Sequence, residues 1–123
     1  MAQKVVLVVD DEEDWRSISR RAAEELGCVV ETAQTLQAAV ALVDQKKYDL
    51  IISDNSMPAG DEGLTLLTHI RNAELNKDTK FVLFTGSQQT GVLVRAERYD
   101  ARYVYKHGRK LMNGVIADIL GLR

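Results

Sequence analysis

The chain has 123 residues, the size of one domain with one core, and its 46% hydrophobic and 28% charged residues are ordinary for a globular protein. A net charge of -2 gives no electrostatic footprint for nucleic acid, and no apolar run approaches the ~20 residues that span a bilayer. Met1-Ala2-Gln3-Lys4 leads straight into an apolar run rather than a signal peptide, and the lone Cys28 forbids an internal disulfide; together they suit a reducing cytoplasm.

Val5-Val6-Leu7-Val8-Val9 is short and β-branched, predicts a strand buried on both faces, and runs directly into Asp10-Asp11. Glu13 to Leu26 predicts a helix with Trp15, Ile18, Ala22 and Leu26 inward, stopped by Gly27. Cys28 reads as a small near-core hydrophobe. Val29 to Ala33 is a second strand. Thr35 can cap a helix whose stripe is Leu36, Ala39, Val40 and Val43. The third strand, Leu50 to Ser53, runs into Asp54. The turn Asn55-Ser56-Met57-Pro58-Ala59-Gly60 holds the only proline and precedes a helix from about Asp61 to Ala73, with Leu64, Leu67 and Ile70 inward. Lys80 to Thr85 is the fourth strand, closed by Gly86. A helix from about Gln88 to Tyr99 has few apolar residues, Val92, Leu93 and Val94. Arg102 to Lys106 is the fifth strand, and Arg109 to Leu120 the fifth helix, with Leu111, Val115 and Ile119 on one face.

Strands alternating with helices predict a (βα)₅ α/β domain, a doubly wound parallel sheet with right-handed crossovers, spanning 1–123 as one unit. Such sheets bind ligands beyond the carboxyl ends of their strands. Asp10, Asp11, Asp54, Thr85 and Lys106 all fall at or just past such ends, so one crevice can hold them. Carboxylates packed together repel and raise one another's pKa. A hard divalent cation with oxygen ligands, Mg²⁺ first, offsets that repulsion. Glu12, Glu13 and Asp14 are explained by the dipole at a helix amino terminus instead.

With these positions in register, the whole chain resembles a response-regulator receiver domain of two-component signalling. The resemblance rests on Asp10-Asp11, Asp54, Met57-Pro58, Thr85 and Lys106, with Tyr103 at the family's aromatic switch position. It implies a flavodoxin-like fold of strand order 2-1-3-4-5. It also implies Asp54 as phosphoacceptor, attacking phosphorus to form a mixed anhydride. By the same resemblance Asp11, Asp54 and the Ser56 backbone carbonyl hold Mg²⁺ directly, and Asp10 acts through a metal-bound water. Lys106 and the Thr85 hydroxyl meet phosphoryl oxygens, helped by backbone N–H groups near Asn55 and Gly86. Thr85 then moves, Tyr103 rotates inward, and the face made by helix four, strand five and helix five changes its protein binding. The implied donor is a histidine kinase or histidine phosphotransfer protein. The output is an unspecified downstream protein or a phosphorylation-dependent dimer, with no nucleic acid or membrane partner. No catalysis on external substrates is implied. Ser56 and Ser87 flank the site as residues that tune dephosphorylation.

Two departures from the family pattern matter. His107 stands where receivers usually carry a proline joined by a cis peptide to the lysine. A cis bond before a non-proline residue costs roughly 2.5–4 kcal/mol, so either the bond is trans and the loop re-routes, or the fold bears that cost. Gly86 stands where many receivers have alanine. Neither removes a chemical group from the site, so phosphorylation is expected to survive. His107 supports a second reading, a pseudo-receiver that binds partners without being phosphorylated. A third, a small Mg²⁺-dependent aspartyl phosphohydrolase, usually needs an acid two residues beyond the nucleophile, where this chain has Ser56, and a cap over the pocket. A flavin carrier wants a phosphate-cradling loop after strand one, where this chain has carboxylates. Neither His69 nor His107 has a partner at metal-ligand spacing, and His69 reads as a surface or edge residue.

Overall fold

A computed structural model describes residues 3–56, 60–86 and 88–122. Met57-Pro58 and Ser87 lie outside the described residues. The elements alternate strictly: β1 (Val5–Val9), α1 (Glu13–Glu25), β2 (Val29–Ala33), α2 (Leu36–Val43), β3 (Leu50–Ser53), α3 (Glu62–Arg71), β4 (Lys80–Thr85), α4 (Thr90–Arg98), β5 (Arg102–Tyr105) and α5 (Met112–Leu120). The five strands form one parallel sheet in the order β2-β1-β3-β4-β5, the flavodoxin-like topology. β1 connects outward to β2 and its other neighbour is β3, so the chain reverses its winding direction between β1 and β3.

The period of two in β1 splits the core. Leu7 and Val9 face one way, with Ile51, Phe81 and Leu83, and are covered by Ala39, Val43, Leu64, Leu67, Ile70, Val92 and Ala96 from α2, α3 and α4. Val6 and Val8 face the other way, with Leu50, Ile52, Val82 and Val104, and meet Ala23, Met112, Val115 and Ile116 from α1 and α5. Both faces of the sheet are therefore buried, which is why β1 and β3 read as unbroken apolar runs. Thr35 caps α2 as expected, its Oγ1 accepting from the Ala38 N–H at 3.1 Å. Cys28 is buried in the second cluster, and that burial pushes its thiol up. No described helix is long and apolar enough to cross a membrane.

All five strands begin where the sequence places them; α1, α3, α4 and α5 are shorter, and four apolar residues of the sequence reading, Ile18, Leu93, Val94 and Leu111, are exposed. α3 begins at Glu62, because Gly60 and Asp61 take left-handed backbone (φ 76 and 51), and it ends at Arg71 rather than Ala73. α4 begins at Thr90 and ends at Arg98, and its Leu93 and Val94 are exposed. α5 starts at Met112 because Leu111 is still extended at the amino-terminal cap; Leu111 is 73% exposed, and Met112 and Ile116 do the packing assigned to it. In α1, Ile18 is 48% exposed and Ala23 takes the buried place. β5 ends at Tyr105, which leaves Lys106 as the first residue beyond the sheet.

Candidate functional site

Backbone pairing brings the acidic residues together. The Asp10 N–H donates to the Ala33 carbonyl at 3.1 Å and the Asp54 N–H to the Val9 carbonyl at 2.9 Å, so the ladder runs one step past β1 and β3 and fixes both carboxylates at the sheet's end. On the far side of β4, the Lys106 N–H donates to the Thr85 carbonyl at 2.8 Å. Asp10, Asp11 and Asp54 each place a carboxylate oxygen within 4.8 Å of the others. Asp10 is 3% exposed and Asp54 4%, while Asp11 is open to solvent.

Lys106 reaches into this cluster. Its side chain is 5% exposed, and Nζ lies 2.8 Å from Asp10 Oδ2 and 3.5 Å from Asp54 Oδ1. No peptide among the described residues is cis, so Lys106–His107 is trans. The loop re-routes, and the lysine still arrives. Burial pushes the Asp10 carboxyl above its ordinary value, against the Lys106 ammonium and the Glu12 N–H, which donates to Asp10 Oδ1 at 3.0 Å. Arg16 donates to the Asp10 carbonyl at 2.8 Å.

Among the described residues, Asp54 Oδ1 is the buried side-chain polar atom left without a hydrogen-bond partner. It is buried and accepts no hydrogen bond; the lysine at 3.5 Å is within ion-pairing range without an aligned donor. A buried carboxylate oxygen left without a donor costs free energy unless something else coordinates it. With two more carboxylates beside it, the donor set is all oxygen, negative and partly open, which suits a hard divalent cation such as Mg²⁺.

The remaining expected residues fall around Asp54. Ser56 Oγ and Thr85 Oγ1 are 3.3 Å apart, and Asp54, Ser56, Gly86, Lys106 and His107 line one cleft with Glu12 and Trp15. Tyr103 stands outside that cleft. In register it faces Leu83, two residues before Thr85 on the face covered by α4, and it packs half-buried against that core; burial pushes its phenol up. It lines a shallow groove with Gln88, Gln89, Thr90 and Leu93. His69 lies at the α2–α3 seam with Nε2 2.8 Å from Asp44 Oδ1, remote in role from the cleft.

Three site features escaped the sequence reading. The Asn55 side chain clamps the loop after β3, its Oδ1 accepting from the Leu64 N–H at 2.9 Å and its Nδ2 donating to Asp61 Oδ1 at 3.0 Å. Gly63 lets α3 press against the end of β3; a glycine inside a helical pattern is a signal for such an approach. Trp15, read only as part of the apolar stripe of α1, packs against the second core cluster and also lines the cleft.

The sequence model of the response regulator receiver domain matches residues 6–110. The chain is 33% identical over 85 residues to the phosphate regulon transcriptional regulatory protein PhoB of Pseudomonas aeruginosa, covering 69% of this chain and 37% of that one. It spans about half, or less, of the length of the curated relatives it matches. The chemotaxis response regulator CheY4 of Vibrio cholerae superposes with a TM-score of 0.84 at 22% identity, over 96% of this chain and 99% of that one. The response regulator TrrA of Thermotoga maritima, solved with Mg²⁺ and BeF, superposes with a TM-score of 0.79 at 26% identity, over 98% and 100%. The matched segment runs from β1 to beyond Lys106 and takes in every strand together with the carboxylate–lysine cluster, and the chain belongs to the response-regulator receiver family of two-component signalling.

Proposed function

We propose that this chain is a phosphoaccepting receiver in which Asp54 takes a phosphoryl group from a histidine kinase or histidine phosphotransfer protein. The observation that carries the reading is Asp54 Oδ1: buried, without a hydrogen-bond donor, and flanked by two carboxylates and an ammonium. An Asp54 carboxylate oxygen attacks phosphorus, an O–P bond forms, and the N–P bond of the donor phosphohistidine breaks as its imidazole leaves. Asp10, Asp11 and Asp54 with the Ser56 carbonyl would hold Mg²⁺, which supplies the charge neutralisation that this transfer mainly requires. Lys106 is within 3.5 Å of the acceptor oxygen and can swing from Asp10 to a phosphoryl oxygen; Thr85 can donate its hydroxyl to another. The cluster performs this transfer on itself rather than turning over external substrates. Lys106 reaching both aspartates supports the phosphorylated reading over the pseudo-receiver, whose basis was the His107 loop.

Incubation with acetyl phosphate and Mg²⁺ should add one phosphoryl group, read by intact mass, and Asp54→Asn should add none. No uptake by the wild type, or equal uptake by the variant, would sink the reading.

The output follows from a displaced charge balance. The new anion draws Thr85 toward it, Tyr103 rotates into the vacated space, and the α4–β5–α5 face, with exposed Leu93 and Val94, changes what it binds. A downstream protein or a second copy of the chain would read that face. With a phosphoryl mimic bound, amide NMR shifts should spread from the site to Thr90–Arg98 and Arg102–Tyr105 in the wild type. In Tyr103→Ala they should stay confined to the site. The same spread in both proteins would remove Tyr103 from the account.

A further inference from the structure

We propose that Trp15, braced by His107, is a positioning residue for Lys106, aiming its ammonium at Asp54 in a loop that lacks the usual proline. The inference rests on the reading of Asp54 as phosphoacceptor and adds to it how the lysine is held.

The ammonium has an aromatic wall as well as an anionic one. Lys106 Nζ lies 5.0 Å from the Trp15 ring centroid and 5.8 Å from that of Phe84. Those rings meet edge to face, 5.6 Å apart at 85°. His107 packs edge-on against Trp15 at 5.6 Å and 80°, and against Tyr105 at 5.4 Å and 75°. The four rings form a chain that runs from β4 through α1 to the loop after β5, and Lys106 lies against two of them.

A lysine side chain has four rotatable carbons and a strongly hydrated charge, so its reach alone does not fix its aim. Here the backbone restraint of a cis-proline is missing, since His107 is joined by a trans bond. The quadrupoles of Trp15 and Phe84 attract the cation in addition to the carboxylates. They also displace water, which leaves Asp10 and Asp54 as its partners. His107 fills the space beside Trp15 and over Gly86, where a Cβ would touch its Nε2 at 3.5 Å. The histidine thus takes the proline's place as a brace, in van der Waals reach of Gly86. Trp15 is half-buried: it packs against the second core cluster on one side and lines the cleft on the other.

The test compares Trp15→Leu, which keeps apolar bulk, with Trp15→Phe, which keeps an aromatic face, and with His107→Ala as a variant outside the helix. At saturating Mg²⁺, phosphoryl uptake from acetyl phosphate should fall about tenfold in Trp15→Leu. His107→Ala should lose about threefold, and Trp15→Phe should recover most of the rate. Mg²⁺ affinity by calorimetry should be unchanged in all three. In a Lys106→Ala background, Trp15→Leu should cost nothing further. A full-rate Trp15→Leu protein, an undiminished loss in the Lys106→Ala background, or no recovery with phenylalanine would overturn the proposal. A second readout stands apart from phosphorylation. The Lys106 ammonium should give a protected nitrogen-15 NMR signal in the wild type that broadens in Trp15→Leu and His107→Ala. Equal protection in all three overturns the positioning role even if Asp54 proves not to be the acceptor. Phosphorylation that survives Asp54→Asn defeats the acceptor reading instead.

Discussion

Gly63→Ala is expected to lower stability by about 3 kcal/mol, a fall of roughly 10 °C in Tm. The substitution looks favourable at first: alanine in a helix interior gains about 1 kcal/mol over glycine. Geometry reverses the sign. A Cβ at Gly63 would overlap the Asp54 carbonyl oxygen and lie 2.7 Å from Leu83 Cδ1 and 2.9 Å from Asn55 Cα. Two of those atoms are backbone at the end of β3 and cannot rotate away. Either α3 retreats, opening the core under Leu64 and Leu67, or the Asp54–Asn55 backbone shifts. Gly114, in α5, is the internal control, since nothing lies within 4 Å of its would-be Cβ. Gly114→Ala should stabilise by roughly 0.4–1 kcal/mol. Urea unfolding of both variants checks the contrast; a Gly63→Ala protein as stable as Gly114→Ala would mean that α3 is not pressed against the Asp54–Asn55 backbone. The variant should also bind Mg²⁺ more weakly, because the displaced backbone carries the Asp54 carboxylate.

That close approach marks the limit of what the residues reveal in one dimension. The sheet was legible because its three inner strands, β1, β3 and β4, are short apolar runs ending at a polar residue, and burial on both faces enforces that pattern independently of neighbours. Asp10, Asp11, Asp54, Thr85 and Lys106 were legible because they sit at those ends, and a parallel sheet aligns its ends. Leu111 misled because hydrophobicity cannot tell an extended cap residue from the first turn it precedes. Ile18 misled because a helix offers more apolar positions than its contact face uses. Gly63, Asn55 and Trp15 depend on which element lies against which: the α3–β3 distance, the Asn55 bridge to Leu64, and the ring chain from Phe84 to His107. Register between distant segments sets those contacts, and no local period encodes it. The consequence of His107 was open for the same reason, since a loop's route depends on what it packs against, here Trp15 and Tyr105.

Asp10→Asn should make the metal-free protein more stable at neutral pH and remove most of its stabilisation by Mg²⁺. The sign follows from the folded-state carboxyl, which burial holds above its ordinary value despite Lys106 at 2.8 Å. A group with a raised folded pKa favours the fold in its protonated form. That contribution is complete below the unfolded pKa and disappears as the pH rises through the folded one. At neutral pH the ionised Asp10 is therefore a net cost in the absence of metal. Asparagine is neutral, keeps an oxygen for the Glu12 N–H, and leaves Lys106 with Asp54 at 3.5 Å. The urea midpoint should rise, and the gap between variant and wild type should narrow as the pH is lowered through the Asp10 titration. Mg²⁺ inverts the order. At a hundredfold excess over its dissociation constant, a cation that binds only the folded wild type adds about 2.7 kcal/mol. The variant offers one carboxylate fewer from the three that converge and should gain little. A variant less stable than wild type without metal would mean that the Lys106 pair outweighs burial. Equal Mg²⁺ stabilisation in both would take Asp10 out of the metal site.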